Sequence, residues 1–225
     1  RRRCKSGSLI HHSSFIIQMS IWAIVPVKPF KQAKSRLAPA LSLEEREALS
    51  RSFLAHTLDV LAQVRDIERT LVVSRDPAVL QAARAKGAYT VTESGAPELN
   101  PALTRATGVA TSFGAHAALV LPTDLPLLAP SDVQMLFDAS SELECVTFAP
   151  DRREDGTKAL FLSPPNIIPF AIGARSFRRH LSLARAGGLC TEVCRFPNVA
   201  LDVDLPEDLE LYSRIVGQPS SPVVG

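Results

Sequence analysis

Residues 119–128 read LVLPTDLPLL, and this stretch decides the fold. The apolar run from Ala117 to Leu121 is typical of a strand that is buried on both faces, as in a parallel sheet. Pro122 ends the strand, and Asp124 follows it. Ligands of open α/β sheets lie beyond the carboxyl ends of the strands, so we expect Asp124 to be placed where it can hold a metal ion. The alternative is that Asp124 only forms an Asx-type turn.

Strand and helix patterns alternate along the rest of the chain. Apolar runs predict strands at residues 21–27, 69–74, 89–93, 117–121, 145–149, 159–163, 191–196 and 199–202. Cap and proline signals predict that helices begin at or beside Ser42, Pro77, Asn100, Ser131, Ser176 and Pro206. Ser42 and Glu45 form a capping-box pattern, and Asn100 before Pro101 is typical of an N-cap and a first helical residue. The alternation predicts a parallel-rich sheet with helices on both faces, in one domain of residues 19–216.

Composition is that of an ordinary globular protein. The 225 residues are 46% hydrophobic and 21% charged, with a formal net charge of +2, which gives no argument for a nucleic-acid or membrane partner. No apolar stretch is long enough to span a bilayer, so we expect a cytoplasmic protein. Residues 1–18 superficially resemble a signal peptide, but polar residues such as Gln18 interrupt the apolar run. We expect a disordered or misannotated leader before Met19, and a flexible tail at residues 217–225.

The four cysteines give little chemical information. They are Cys4, Cys145, Cys190 and Cys194. The last two are four residues apart without a neighbouring histidine pair, which is weak evidence for zinc. Cys145 lies in an apolar run and is interpreted as a small core residue. Nothing in this set requires an oxidising compartment.

A second acidic motif lies near the end of the chain. Asp202 and Asp204 occur in the sequence LDVDLPEDL, and side chains two positions apart at a strand end point to the same side. Two adjacent carboxylates repel each other unless a cation lies between them, and Mg²⁺ is the natural cation because it retains sites for water and phosphate. The alternative is that Asp204 caps the helix that begins at Pro206 while Asp202 is merely exposed.

A basic loop follows the first predicted strand. Its cations include Lys28, Lys34 and Arg36, which can hold a triphosphate together with backbone N–H groups. The alternative is a solvated basic loop. The loop contains no glycine, so it is neither a P-loop nor a dinucleotide-binding fingerprint.

Two further segments have weaker signals for ligand binding. Gly156 and Thr157 precede a strand, and Gly173 and Ser176 lie at the start of a predicted helix. Glycine allows close approach of a ligand to the backbone, and a helix start attracts phosphate. Ser176 as a plain N-cap and Gly173 as a plain turn are the alternatives. His180 lies on the same helix face as Ser176, and we interpret it as a structural histidine rather than a substrate contact.

Six segments together resemble a known family. They occur in the order found in the CofC-type guanylyltransferases of deazaflavin coenzyme F420 biosynthesis, which act on phosphoenolpyruvate or 2-phospho-L-lactate. The segments are VPVKPFKQAKSRLAPALSLEER, ELNPAL, LVLPTDLPLL, DGTKALFLSPP, IGARSFRRH and ALDVDLPEDL. The resemblance covers residues 20–211 and implies a single-domain α/β nucleotidyltransferase fold of the glycosyltransferase-A type. In that fold a mixed, mostly parallel sheet has helices on both faces.

The resemblance also implies roles for individual residues. The metal ligands for two Mg²⁺ ions would be Asp124, Asp202 and Asp204. The contacts of the phosphorylated acid would be Thr157, Gly173 and Ser176, and those of GTP would be Lys28, Lys34, Arg36 and Asn100. Asp124, Lys34 and Arg36 would act in catalysis. Glu98 and Lys158 depart from the family pattern, which has glycine and asparagine at those positions.

The implied reaction joins GMP from GTP to a phosphorylated three-carbon acid and releases pyrophosphate. Its nucleophile is a phosphate that is already largely dianionic at neutral pH, so no general base is required. Phosphoenolpyruvate, 2-phospho-L-lactate and 3-phospho-D-glycerate are the candidate acids, and the sequence indicates no oligomeric state. The alternatives are another nucleotidyltransferase, a metal-dependent glycosyltransferase that uses Asp202 and Asp204, and a non-catalytic nucleotide-binding domain.

Overall fold

Seven strands form one mixed sheet at the centre of the chain. A computed structural model describes residues 20–95, 97–140 and 144–217. The strands are β1 (Ile21–Pro26), β2 (Ile67–Ser74), β3 (Tyr89–Thr92), β4 (Ala117–Val120), β5 (Cys145–Pro150), β6 (Thr157–Ser163) and β7 (Cys190–Val193). Their order in the sheet is β3-β2-β1-β4-β6-β5-β7. β6 pairs antiparallel with β4 and β5, and the other four pairings are parallel, so the prediction of a mixed, mostly parallel sheet is confirmed.

Helices connect the strands and cover the sheet. They are α1 (Leu43–Leu61), α2 (Pro77–Ala85), α3 (Leu99–Ser112), α4 (Pro130–Asp138), α5 (Ser176–Ala186), α6 (Pro197–Ala200) and α7 (Pro206–Gly217). The basic loop after β1 contains two 3₁₀ turns, Phe30–Gln32 and Ser35–Leu37. The predicted capping box of α1 is present, since the Glu45 N–H donates to Ser42 Oγ at 3.2 Å and the Ser42 N–H to Glu45 Oε2 at 2.7 Å.

The hydrophobic core lies on both faces of the sheet. Successive residues of β1 point to opposite faces, so Ala23 and Val25 belong to one buried cluster and Trp22 and Ile24 to the other. All four residues are at most 1% exposed. A central strand buried on both sides is what the apolar runs predict for a sheet with helices on each face.

The predicted strand at residues 199–202 is wrong. The chain forms the short helix α6 there, because Pro197 at its first turn supplies a preset φ and needs no N–H partner. Residues 201–204 then continue without sheet pairing. Leu201 and Val203 are nevertheless buried, while Asp202 and Asp204 are only partly buried, so the period-two pattern survives outside the sheet.

The predicted N-cap at Asn100 is also wrong. Helix α3 begins at Leu99, two residues before the predicted first helical residue Pro101, and its N-cap is Glu98, whose side chain makes no capping hydrogen bond. The Asn100 side chain instead reaches another segment: Oδ1 accepts the Ile172 N–H at 2.8 Å, and Nδ2 donates to the Ile172 carbonyl at 3.2 Å. A tertiary contact has replaced the local cap.

Cys145 is not a lone core residue, because it forms a disulfide with Cys190. The two cysteines are register partners on the neighbouring parallel strands β5 and β7. Cys194 is a free thiol. The predicted leader at residues 1–18 and nearly all of the predicted tail lie outside the described residues. Within the described residues, no helix combines the length and apolar character that crossing a membrane requires.

Candidate active site

Three aspartates from distant parts of the chain meet beyond the carboxyl end of the central strand β4. Asp124 follows β4, and Asp202 and Asp204 lie between α6 and α7. One carboxylate oxygen from each residue lies within 4.8 Å of the other two. The Val203 N–H donates to the Asp124 carbonyl oxygen at 3.2 Å, which holds the two segments together. The structure thus forms the aspartate triad (Asp124, Asp202 and Asp204) that the sequence predicts.

Lys34 enters the aspartate triad from the basic loop. Its Nζ lies 3.0 Å from Asp204 Oδ1 and 3.6 Å from Asp124 Oδ2, and its side chain is only 9% exposed. The backbone of Lys34 is left-handed, with φ of 54°, between the two 3₁₀ turns. Non-glycine residues adopt this conformation at a cost, so the surrounding loop must hold it in place.

Lys158 is the second ammonium group at the aspartate triad. It lies on β6 and donates a hydrogen bond to Asp202 Oδ2. Burial alone would lower the pKa of Lys158, but the charges of Asp124, Asp202 and Asp204 raise the pKa above its ordinary value. Lys158 is therefore a permanent cation of the site at neutral pH.

Asp204 has a shifted pKa as well. Burial alone would raise the pKa of Asp204, but Lys34, with Lys158 and Arg36 in support, holds the pKa below its ordinary value. Asp124 Oδ1 is buried and has no hydrogen-bond partner. A carboxylate oxygen without a hydrogen-bond partner, beside two further carboxylates, suits a hard divalent cation, so the donor set fits a divalent metal.

The other predicted nucleotide cations lie further out. Arg36 Nη1 is 3.9 Å from Asp204 Oδ2, and the Arg36 side chain is 73% exposed. Lys28 is exposed. Both side chains are accessible to a ligand from solvent, whereas the Lys34 ammonium group is largely buried against Asp204 and Asp124. Asn100, the fourth predicted nucleotide contact, uses both ends of its amide on Ile172.

The predicted acid contacts also come together. They form the acid-side cluster (Thr157, Gly173 and Ser176). The Thr157 N–H donates to Ser176 Oγ at 2.9 Å, and the Ser176 N–H donates to the Gly173 carbonyl at 3.1 Å. Ser176 is the first helical residue of α5, and the N-cap is Arg175, so Ser176 is not a plain N-cap. Lys158 follows Thr157 directly in β6, which connects the acid-side cluster to the aspartate triad.

The turn before Thr157 is fixed by one carboxylate. Asp151 accepts the backbone N–H groups of Arg153, Asp155 and Gly156 at 2.8–3.0 Å. A Cβ on Gly156 would lie 2.8 Å from Asp151 Oδ2, so a larger residue there would displace the carboxylate that holds this turn. The sequence suggests that a ligand approaches the backbone at Gly156. In the structure the Asp151 carboxylate occupies that position, and its hydrogen bonds fix the turn before Thr157.

Three arginines and a loop extend the acid-side cluster towards solvent. Gly173 has a φ of 135°, which favours glycine, and Arg175 is left-handed with a φ of 56°. An open cavity of about 480 Å³ beside this loop is lined by Arg175, Arg178 and Arg179 among others. Its positive charge adjoins the position where the sequence predicts an acid substrate.

The sequence marks Lys158 only as a departure from a family pattern and does not predict its contact with Asp202. The available signal was the period of β6, in which Lys158 alternates with Thr157 and Ala159. The sequence favours a structural histidine at position 180, and the structure buries His180 completely. Its ring contacts Thr157 and so belongs to the support of the acid-side cluster.

Comparison with solved structures defines the fold. A putative nucleotide-diphospho-sugar transferase from Desulfovibrio desulfuricans G20 has a TM-score of 0.72 at 17% sequence identity, over 90% of each chain. A nucleotidyl transferase from Methanothermobacter has a TM-score of 0.66 at 14% identity, over 88% of this chain and 98% of that chain. The fold is that of nucleotidyltransferases of the glycosyltransferase-A type.

Sequence comparison gives the family. The model of the family described as "Guanylyl transferase CofC like" matches residues 21–215, and the chain belongs to this family. A phosphoenolpyruvate guanylyltransferase from Rubrobacter xylanophilus is 44% identical over 191 residues, which cover 85% of this chain and 92% of that protein. A 2-phospho-L-lactate guanylyltransferase from Methanothermobacter thermautotrophicus is 37% identical over 192 residues, covering 85% and 83% respectively.

Proposed function

We propose that this protein transfers GMP from GTP to a phosphorylated three-carbon acid, such as phosphoenolpyruvate or 2-phospho-L-lactate, and releases pyrophosphate in the biosynthesis of a deazaflavin coenzyme. The observation that carries the proposal is the convergence of the aspartate triad, with Lys34 and Lys158, beside the acid-side cluster. The named activities of the CofC-like relatives support it. The same family membership supports GTP as the nucleotide.

The main obstacle to this reaction is electrostatic. Two unit charges about 4 Å apart repel by roughly 1 kcal/mol in water and roughly 4 kcal/mol at an effective dielectric of about 20, and two phosphate groups bring several such charges together. Mg²⁺ held by Asp124, Asp202 and Asp204 would supply Lewis-acid neutralisation of phosphate charge. Lys34 lies beside the same carboxylates and supplies a further fixed cation.

Positioning accounts for the rest of the proposed chemistry. The acid's own phosphate is the nucleophile, so the protein needs to orient it rather than remove a proton. Thr157 and Ser176 offer hydroxyl groups, and Asp151 fixes the turn that precedes Thr157. Arg36 and Lys28 are exposed at the rim, where they would bind the triphosphate.

A pyrophosphate-release assay tests the proposal directly. The purified protein would be incubated with Mg²⁺, one nucleotide and one acid, using GTP, ATP and CTP against phosphoenolpyruvate, 2-phospho-L-lactate and 3-phospho-D-glycerate. We expect release that requires both GTP and one of these acids. GTP binding without release for any acid would contradict the proposal, as would release that depends on a sugar phosphate instead.

A further inference from the structure

A buried histidine contacts Thr157 of the acid-side cluster and the neighbouring Ala171 through its two ring nitrogens. His180 lies on α5 and is 0% exposed. Its Nε2 receives the backbone N–H of Ala171 at 2.8 Å. A backbone amide can only donate, so Nε2 must be the unprotonated ring nitrogen, and the ring proton lies on Nδ1. Burial, assisted by the charge of Arg179, lowers the pKa of His180 to about 4, which keeps the ring neutral at neutral pH.

This tautomer fixes the direction of the next hydrogen bond. Nδ1 lies 3.1 Å from Thr157 Oγ1, so the ring donates and the Thr157 hydroxyl oxygen accepts. The hydroxyl proton of Thr157 then remains available to donate elsewhere. Ser176 is in the same situation, because its Oγ accepts the Thr157 N–H at 2.9 Å. Both hydroxyl oxygens therefore accept a hydrogen bond from the protein, and each keeps its own O–H to donate to a ligand.

The same ring also contacts the segment that leads to Gly173, the second residue of the acid-side cluster. Ala171, which donates to Nε2, lies two residues before Gly173. The neighbouring Ile172 is held by Asn100 through two hydrogen bonds of 2.8 and 3.2 Å. His180 thus connects β6 to the loop that contains Gly173. A change in the protonation or tautomer of the ring would therefore alter a hydrogen bond on each side.

We propose that His180 is a positioning residue that presets the Thr157 hydroxyl as a hydrogen-bond donor to an oxyanion of the acid substrate, a carboxylate or phosphate oxygen. The inference rests on the proposed function, because it assigns Thr157 to the acid. A donor hydroxyl already oriented before binding loses no further freedom when the oxyanion arrives, and hydrogen bonds to charged acceptors are the stronger kind.

The first test reads the tautomer without any turnover. Nitrogen-15 NMR of the imidazole groups distinguishes a protonated ring nitrogen from an unprotonated one, and the His180 signals are identified as those missing from His180→Asn. We expect the proton on Nδ1 at pH 7. A proton on Nε2 would overturn the proposal, whatever the enzyme activity.

The second test is a double-mutant cycle on the acid's Michaelis constant. Thr157→Val removes the hydroxyl at nearly constant shape, and His180→Gln keeps an acceptor for Ala171 but lacks the ring donor. Each change should raise the acid's KM about tenfold, as expected for one hydrogen bond to a charged group, and leave the KM for GTP unchanged. Since His180 acts through Thr157, the double variant should resemble Thr157→Val alone.

The conservative substitution Thr157→Ser is the control for Thr157→Val. Thr157→Ser keeps the hydroxyl and should stay closer to the wild-type KM for the acid than Thr157→Val. Effects of His180→Gln and Thr157→Val that multiply in the double variant, or an equal rise of the KM for GTP, would overturn the role of His180. A wild-type protein that releases no pyrophosphate with any acid would instead overturn the proposed function, and the tautomer measurement would still stand.

Discussion

Lys158 donates a hydrogen bond to the carboxylate of Asp202, 44 residues further along the chain. Together with the Lys34–Asp204 contact at 3.0 Å, this bond places two ammonium groups against three carboxylates. The aspartate triad is therefore largely neutralised by the protein itself. A divalent cation at this site would compete with the Lys158 ammonium group for the Asp202 carboxylate, and the two positive charges would repel each other.

Replacing Lys158 with asparagine should tighten the binding of Mg²⁺. Two unit charges about 4 Å apart repel by roughly 4 kcal/mol at an effective dielectric of about 20, so even partial relief of this repulsion should raise the affinity about tenfold. Calorimetric titration with Mg²⁺ measures the change. Lys86→Asn is the control, since Lys86 pairs with Asp59 on the surface. An unchanged or weaker Mg²⁺ affinity in Lys158→Asn would show that Lys158 does not compete with the metal.

Asp124→Asn should abolish pyrophosphate release without unfolding the protein. The substitution removes the charge of a buried carboxylate oxygen that has no hydrogen-bond partner, so metal binding loses a ligand while few contacts of the fold are lost. The pyrophosphate assay and a thermal melt measure the two effects. Asp59→Asn, which removes an exposed carboxylate elsewhere, should keep its activity. Turnover near the wild-type level in Asp124→Asn would remove Asp124 from the metal site.

Much of the candidate site follows from local patterns in the sequence. The apolar run before Pro122 places Asp124 at a strand end, and that prediction is confirmed. For Asp202 and Asp204 the predicted strand is wrong, yet their side chains still face the same way. Leu201 and Val203 are buried while Asp202 and Asp204 are partly exposed, so the alternation does not need sheet pairing.

The remaining contacts depend on how distant segments pack, which no local pattern contains. Asn100 has the local chemistry of an N-cap but binds Ile172, 72 residues away. Cys145 and Cys190 become partners only through the register of β5 with β7. Local propensities for caps and core residues are small, so tertiary contacts of this kind override them.

Lys34→Ala should raise the KM for GTP and also lower turnover. Lys34 Nζ lies between Asp204 and Asp124, so its loss removes a fixed positive charge beside the proposed phosphate position. Steady-state kinetics with varied GTP at saturating acid measure the effect, and a rise of about tenfold is the scale expected for one charge-assisted contact. Lys86→Ala serves as the exposed control. A KM for GTP equal to that of the wild type would place Lys34 outside the nucleotide site.

The stability of the fold should fall as the pH decreases from 6.5 towards 4, because of His180. Burial and the charge of Arg179 lower the pKa of this ring from 6.5 to about 4, so the folded protein keeps it neutral while the unfolded chain takes up a proton below pH 6.5. The unfolded state then binds more protons, and the free energy of unfolding decreases by up to about 3 kcal/mol until the pH reaches the folded pKa, below which this loss stops.

Denaturant unfolding of the wild type and of His180→Asn at several pH values between 7 and 4 isolates this effect. The variant lacks the titrating ring, so the stability difference between the two proteins should shrink steadily as the pH falls through this window. His116→Asn, which replaces an exposed histidine, should keep the same pH dependence as the wild type. A stability difference between wild type and His180→Asn that stays constant from pH 7 to pH 4 would mean that His180 titrates alike in the folded and unfolded states, contrary to its burial against Ala171 and Thr157.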